Sequence, residues 1–266
     1  MNLFSLLFKR KKKTPKIGIA LGSGGAKGFA ELGALYAFEQ NGIEFDYIAG
    51  TSIGSIIGAF LANGYSSVEI LELLRRVNVK DIKNSFMINM DTSGLFDLID
   101  KNIGVKDIEE LKKPFGAIAT NLDTGKEKVF LSGSVGKVLS ASSCYPPFFK
   151  PVLIDGESFV DGAFTNSIPA DVVKEMGADY IIGIDLSVSE NKGGVLSRIF
   201  PTYKSSVENP SEKGYKYSNV ILHPDLTGYS SLSFNDGMEM YDIGYKCAIE
   251  MMPQILNDLQ KLKKKK

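Results

Sequence analysis

The chain has very little of what most catalytic and metal chemistry relies on: one histidine, two cysteines and no tryptophan in 266 residues. Two cysteines, Cys144 and Cys247, supply neither a disulfide framework nor metal-ligand spacing. A disulfide-stapled scaffold and a Cys/His zinc site are therefore excluded, a cytoplasmic, reducing setting is expected, and the plain role of both thiols is as small buried apolar groups. Any chemistry that needs an imidazole rests on His223 alone. No stretch approaches the ~20 apolar residues of a membrane span. The amino terminus also lacks the order of a secretory signal: the apolar part, Met1 to Phe8, precedes the basic run instead of following it. Asn2 stands where N-myristoylation needs glycine.

Charge of one sign is missing at both ends. Residues 1–16 carry Lys9, Arg10, Lys11, Lys12, Lys13 and Lys16 and no acid, and residues 261–266 carry Lys261 and Lys263 to Lys266 and no acid. The body between them holds 20 basic residues against 31 acidic ones, a formal charge of −11 hidden inside a net charge of zero. Leu3, Phe4, Leu6, Leu7 and Phe8 beside a polybasic cluster suit peripheral attachment to an anionic membrane surface, where each Lys or Arg adds about 1 kcal/mol. The plainer reading of such runs is a solvated tail that meets nucleic acid only non-specifically, so no specific nucleic-acid partner is expected. The expected organisation is a basic, apolar tail over 1–15, one domain over 16–260 and a polybasic tail over 261–266, with no internal repeat.

The periodicity predicts an α/β fold in three layers around a central, mostly parallel sheet. Residues 16–21 form a strand that runs into a glycine-rich loop and a helix over 29–40, ended by Asn41-Gly42. A second strand at 45–49 meets Ser52 and a helix of small residues over 53–62. Further helices are expected over 66–76, 135–143 (stopped by Pro146-Pro147), 169–176 and 236–262, the last bent near Pro253. Strands are expected at 114–120, 128–131, 180–186 and 220–222, with a hairpin around Asp155-Gly156. Residues 77–110 hold short amphipathic pieces such as 95–99. Residues 188–218 are polar and weakly patterned, as loops are, and either 77–105 or 188–235 is a candidate lid.

Gly50-Thr51-Ser52-Ile53-Gly54 is a Gly-x-Ser-x-Gly between a strand and a helix, the pattern of a nucleophile elbow. Chance alone produces it in roughly a quarter of chains of this composition, so the flanking strand and helix carry the weight. The turn is tight enough to demand glycine at positions 50 and 54, and it presents the Ser52 hydroxyl beside the free N–H groups of a helix start. The loop Gly22-Ser23-Gly24-Gly25-Ala26-Lys27-Gly28 admits two readings. A dinucleotide loop needs a third glycine where Lys27 stands, and a Walker loop needs Gly-Lys-Ser/Thr, which is absent. An oxyanion hole needs converging backbone N–H groups, which adjacent glycines allow, and Lys27 adds positive charge. The serine also needs a base. His223, on a late loop before Pro224, stands where an α/β-hydrolase histidine would; Asp161 in Val160-Asp161-Gly162-Ala163 is the other candidate, although an isolated Asp-Gly is most often a turn. The residues by themselves leave both open.

Taken in order, the glycine loop, the Ser52 elbow and the later Asp-Gly-Ala resemble the patatin-like phospholipases, over roughly residues 16–186. The resemblance implies a Ser–Asp dyad without histidine: Ser52 as nucleophile, Asp161 as base on the loop with Gly162 and Ala163, and an oxyanion hole from the N–H groups of Ser23, Gly24 and Gly25, helped by Lys27. It implies fatty acyl esters of phospholipids or lysophospholipids as substrates, an acyl-enzyme, and no cofactor or metal. The run 141–149 (Ala-Ser-Ser-Cys-Tyr-Pro-Pro-Phe-Phe) is similar to the family's stretch ahead of the aspartate. Ser23 for a usual glycine, Lys27 for a common arginine and Glu31 for a histidine frequent in bacterial members are departures. Two other functions remain open: a lipid-binding or regulatory protein with little turnover, and acyl transfer to an acceptor other than water, as in the related malonyl transferases, with His223 as base.

Overall fold

The computed structural model describes residues 14–76, 99–187, 198–200 and 204–265. Residues 1–13 of the expected tail over 1–15, 77–98 of the stretch over 77–110, 188–197 and 201–203 of the stretch over 188–218, and residue 266 lie outside them. The apolar alternation builds β1 (Ile17–Leu21), β2 (Tyr47–Thr51), β3 (Phe115–Asn121), β4 (Glu127–Phe130), β5 (Val152–Ile154), β6 (Glu157–Asp161), β7 (Tyr180–Ile184) and β8 (Val220–Leu222), joined in one sheet. The helices are α1 (Gly28–Gln40), α2 (Ile53–Ala62), α3 (Ser67–Arg76), α4 (Val135–Ser142), α5 (Ala170–Met176), α6 (Glu212–Tyr217) and α7 (Gly237–Lys265).

Two cores follow from the pleat, because successive side chains of a strand point to opposite faces. Ile19, Leu21, Ile48, Ala117, Ala119, Ile182 and Ile184 face one core with α1, α2 and α7. Ala20, Ala49, Ile118 and Ile181 face the other with α5. The result is three layers. Helix α1 packs against α7 and has ten of its 13 residues buried, so it shows no polar stripe. Burying its Leu32, Leu35 and Phe38 contributes roughly 1.5–3 kcal/mol each.

Strands β2, β1, β7 and β8 run parallel, while β4, β5 and β6 pair antiparallel. The register around β3 positions the site. Strand β2 pairs β3 from Phe115 to Ile118 and ends at Thr51. Strand β6 pairs β3 from Asn121 to Ala119 and ends at Asp161. Since β4 overlaps both along Ala117 to Thr120, β2 and β6 must share the other edge of β3, one after the other. They approach from opposite directions, and residues 52 and 161 meet where the two ends abut.

Several expectations need correcting. Strand β2 starts at Tyr47, not 45, because Phe45 packs edge-on against Phe38 of α1 with ring centroids 5.5 Å apart. The stretch 188–218 is not all loop: α6 packs against α5. Helix α7 runs through Pro253 to Lys265, past the end expected at 262. No helix among the described residues is long and apolar enough to cross a membrane.

Candidate active site

The elbow is a strained turn held from several sides. Ser52 has φ 57° and ψ −125°, a left-handed conformation that costs a non-glycine residue about 1–3 kcal/mol. Its N–H donates to Ser142 Oγ at 3.0 Å, and its carbonyl accepts from Ser55 N–H at 2.9 Å and Ser55 Oγ–H at 2.6 Å. Thr51 Oγ1–H donates to the Asn166 carbonyl at 2.7 Å. A side chain at Gly54 would put its Cβ 2.5 Å from the Leu21 carbonyl oxygen and 2.6 Å from that of Gly22, and one at Gly50 would strike the Gly54 carbonyl. The glycine spacing thus reflects backbone packed on backbone. Helix α2 begins at the next residue, so the positive end of its dipole lies at Ser52.

Asp161 ends β6 and is 1% exposed. One carboxylate oxygen, Oδ2, accepts the Ser52 Oγ–H at 2.7 Å; the other, Oδ1, accepts Ala163 N–H at 2.8 Å from the 3-10 turn Gly162–Phe164. Its N–H donates to the Cys144 carbonyl at 2.9 Å, and its carbonyl accepts from Thr120 Oγ1–H at 2.9 Å. The carboxylate is therefore fixed through both its backbone and one oxygen, with the other given to the serine. Burial and the charge of Asp161 push the Cys144 thiol up, so it stays protonated beside the site.

The glycine loop lies at the same sheet edge. Its Ser23 N–H donates to the Ser167 carbonyl at 3.0 Å, and the two hydroxyls are 3.0 Å apart. This corrects the expectation that Ser23 offers a free donor: its amide anchors the loop. Ala26 N–H is likewise taken, by the Ser231 carbonyl at 2.8 Å, and Lys27 N–H by the Gly24 carbonyl at 3.1 Å. Gly24 and Gly25 donate to no acceptor among the described residues. Lys27 is buried at the foot of the loop. Glu31, fully buried in the first turn of α1, accepts Gly22 N–H through Oε1 at 2.7 Å. Sequence reasoning missed Ser142, Ser231 and the Glu31 contact, since each acts on a residue that no local pattern connects to it.

His223 is elsewhere engaged. Its Nδ1 lies 3.4 Å from Asp185 Oδ2, the oxygen to which Tyr215 Oη–H donates at 2.7 Å. Burial and this carboxylate push Tyr215 up to about 12. No hydrogen bond joins His223 to Ser52 among the described residues. No group of three or more His, Cys, Asp or Glu side chains there is arranged to hold a metal ion.

A family model described as patatin-like phospholipase matches residues 19–174. A lysophospholipase NTE1 of Pyricularia oryzae is 24% identical over 285 residues, covering 91% of this chain and 19% of its own length. The rat patatin-like phospholipase domain-containing protein 7 is 27% identical, covering 86% of this chain and 20% of its own. An uncharacterized NTE family protein of Mycobacterium bovis is 29% identical over 187 residues, 68% of this chain and 52% of its own. The chain thus spans about a fifth to a half of the length of these relatives. Among solved structures, human GIVD cytosolic phospholipase A2 in complex with methyl gamma-linolenyl fluorophosphonate superposes with a TM-score of 0.54 at 14% identity, over 96% of this chain and 60% of that one. VipD of Legionella pneumophila gives 0.54 at 14% identity, over 91% and 67%. These two likenesses concern the fold.

Proposed function

The chain belongs to the patatin-like phospholipase family, and on that premise we propose that it is a serine acyl hydrolase that cleaves fatty acyl esters of phospholipids or lysophospholipids. The observation that carries the reading is the 2.7 Å hydrogen bond from the strained Ser52 hydroxyl to a buried carboxylate whose other oxygen is already bonded. Asp161 takes the proton as Ser52 Oγ attacks the ester carbonyl. The tetrahedral oxyanion is received by the Gly24 and Gly25 amides, with the buried Lys27 adding positive charge; such donors are worth about 3–4 kcal/mol each. The C–O bond to the alcohol breaks, the protonated Asp161 returns its proton to the leaving alkoxide, and Ser52 carries the acyl group. Asp161 then deprotonates water, which attacks the acyl-serine; the bond between Ser52 Oγ and the acyl carbon breaks, Asp161 returns the proton to Oγ, and the fatty acid is released. His223 has no part in this path. No metal or cofactor enters it.

The basic ends add a contact with anionic lipid. The first described residues, Thr14 to Ile17, and the last turns of α7, Leu259 and Lys263, line one groove of about 820 Å3 together with Asp46 and Pro114. All of these lie at the amino ends of β1, β2 and β3, across the sheet from Ser52. Lipid bound there tethers the protein rather than feeding its catalytic edge.

Turnover of a phospholipid in mixed vesicles, lost in Ser52→Ala, tests the hydrolase. Rapid labelling of Ser52 by a fluorophosphonate separates it from a lipid carrier with an idle serine. If neither is seen in folded wild-type protein, the reading falls.

A further inference from the structure

We propose that Glu31 is a positioning residue of the oxyanion loop, its carboxyl group holding the Gly22 N–H and thereby setting where the Gly24 and Gly25 amides stand. The proposal rests on the acyl-hydrolase reading. Gly22 is the first residue after β1, and its carbonyl and that of Leu21 are the surfaces against which Gly54 of the elbow packs. A displacement of Gly22 therefore shifts loop and nucleophile relative to each other. Glu31 reaches Gly22 from the helix that the loop itself opens, so one bond of 2.7 Å ties the loop's entry to the element at its exit.

Two further features mark this as more than packing. Glu31 is fully buried, and its second oxygen, Oε2, has no hydrogen-bond partner among the described residues. An apolar side chain of the same size would fill the space without an orphaned polar atom, which interiors avoid. Desolvation holds the carboxyl well above the usual carboxylate range, against the opposing pull of the Gly22 N–H. Burial thus disfavours the charged form of the group that accepts from Gly22, close to where an oxyanion forms.

The test compares Glu31→Gln, which keeps an uncharged acceptor, with Glu31→Leu, which removes it at similar size. Steady-state kinetics on a soluble acyl ester and hydrogen exchange across residues 22–28 are measured for both. Glu31→Leu is expected to lower kcat by about 10- to 100-fold, less than full removal of a donor, with KM changed by less than about threefold and with faster exchange in the loop. Glu31→Gln is expected to keep both near wild type. A folded Glu31→Leu variant with wild-type kcat overturns the proposal, as does a Glu31→Gln variant impaired as badly as Glu31→Leu. If Glu31→Leu does not fold, Glu31→Met carries the same expectations. Exchange needs no turnover: should the wild type cleave no ester, the hydrolase reading fails, while unchanged exchange in Glu31→Leu is what removes the role of Glu31.

Discussion

The two edges of the sheet are built on opposite principles. At the carboxyl edge, β1 and β2 end in turns whose backbones touch, many buried polar groups pair across long stretches of sequence, and Ser52 holds an unfavourable φ. At the amino edge, the groove between Thr14 and α7 is lined by solvated charges, such as Lys16 and Asp46, whose side chains are 44% and 32% exposed and 2.6 Å apart. The first edge spends stability to fix a few atoms; the second is tolerant, because water supplies what a lost partner leaves behind. The strain at Ser52 is held by the buried bonds around it, and nothing at the amino edge demands such support.

The largest effect is expected where Ser52 meets Asp161. Ser52→Ala and Asp161→Asn each lower ester hydrolysis by roughly 10³-fold or more while the thermal midpoint stays near wild type, as read by a chromogenic acyl ester and by circular dichroism. Turnover surviving in Asp161→Asn and lost in His223→Ala would transfer the base to the histidine.

Glycine replacements separate the edges next. Gly54→Ala drives a Cβ into the Leu21 and Gly22 carbonyls and is expected to cost about 1–3 kcal/mol or more together with nearly all activity. Gly42→Ala at the amino edge has φ 69° but open space around it, so only the backbone penalty of about 1 kcal/mol applies and activity persists. Denaturant melts and activity of both variants decide; equal losses of activity would erase the distinction.

A smaller effect is expected at Glu31. Its folded-state value is raised above the ordinary 4.5, so its contribution to stability is complete below that value and declines as pH rises through the raised one. Glu31→Gln cannot ionise, and its thermal midpoint relative to wild type should therefore climb as pH rises above the ordinary 4.5. A constant offset would mean that Glu31 titrates normally.

The smallest effect belongs to Lys16, whose amine is raised above 10.5 by its hydrogen bond to Asp46 and then by the charge of that carboxylate. That pairing is intact below 10.5 and is lost as pH rises through the raised value. Lys16→Met should melt with the wild type at neutral pH, and high salt should remove any residual difference. A large loss at neutral pH would contradict the solvated character of this edge.

Much of this was legible in the residues. The helix expected over 53–62 is α2 to the residue, because an elbow glycine and a run of small apolar residues define both its ends. The hairpin around Asp155-Gly156 forms at its predicted turn, where both residues take positive φ. Helix α6 was hidden because Glu212 to Tyr217 is too short and polar to show a period; contact with α5 stabilises it. The start of β2 was misread because Phe45 carries the apolar signal of a strand and spends it on Phe38.

Local steric demand and residue chemistry are written in the chain itself: two glycines around a serine force a sharp turn, alternating apolar residues make a two-faced sheet, and one histidine narrows the choice of base. Which partners meet was decided only in three dimensions. Ser52 and Asp161 are 109 positions apart, and they touch because two strands finish head to head along one edge of β3. The capture of the Ser23 amide by Ser167 and of the Gly22 amide by Glu31 has the same origin. A hydrogen bond depends on distance and direction between groups, and for residues far apart in sequence those are set by the packing of the whole sheet.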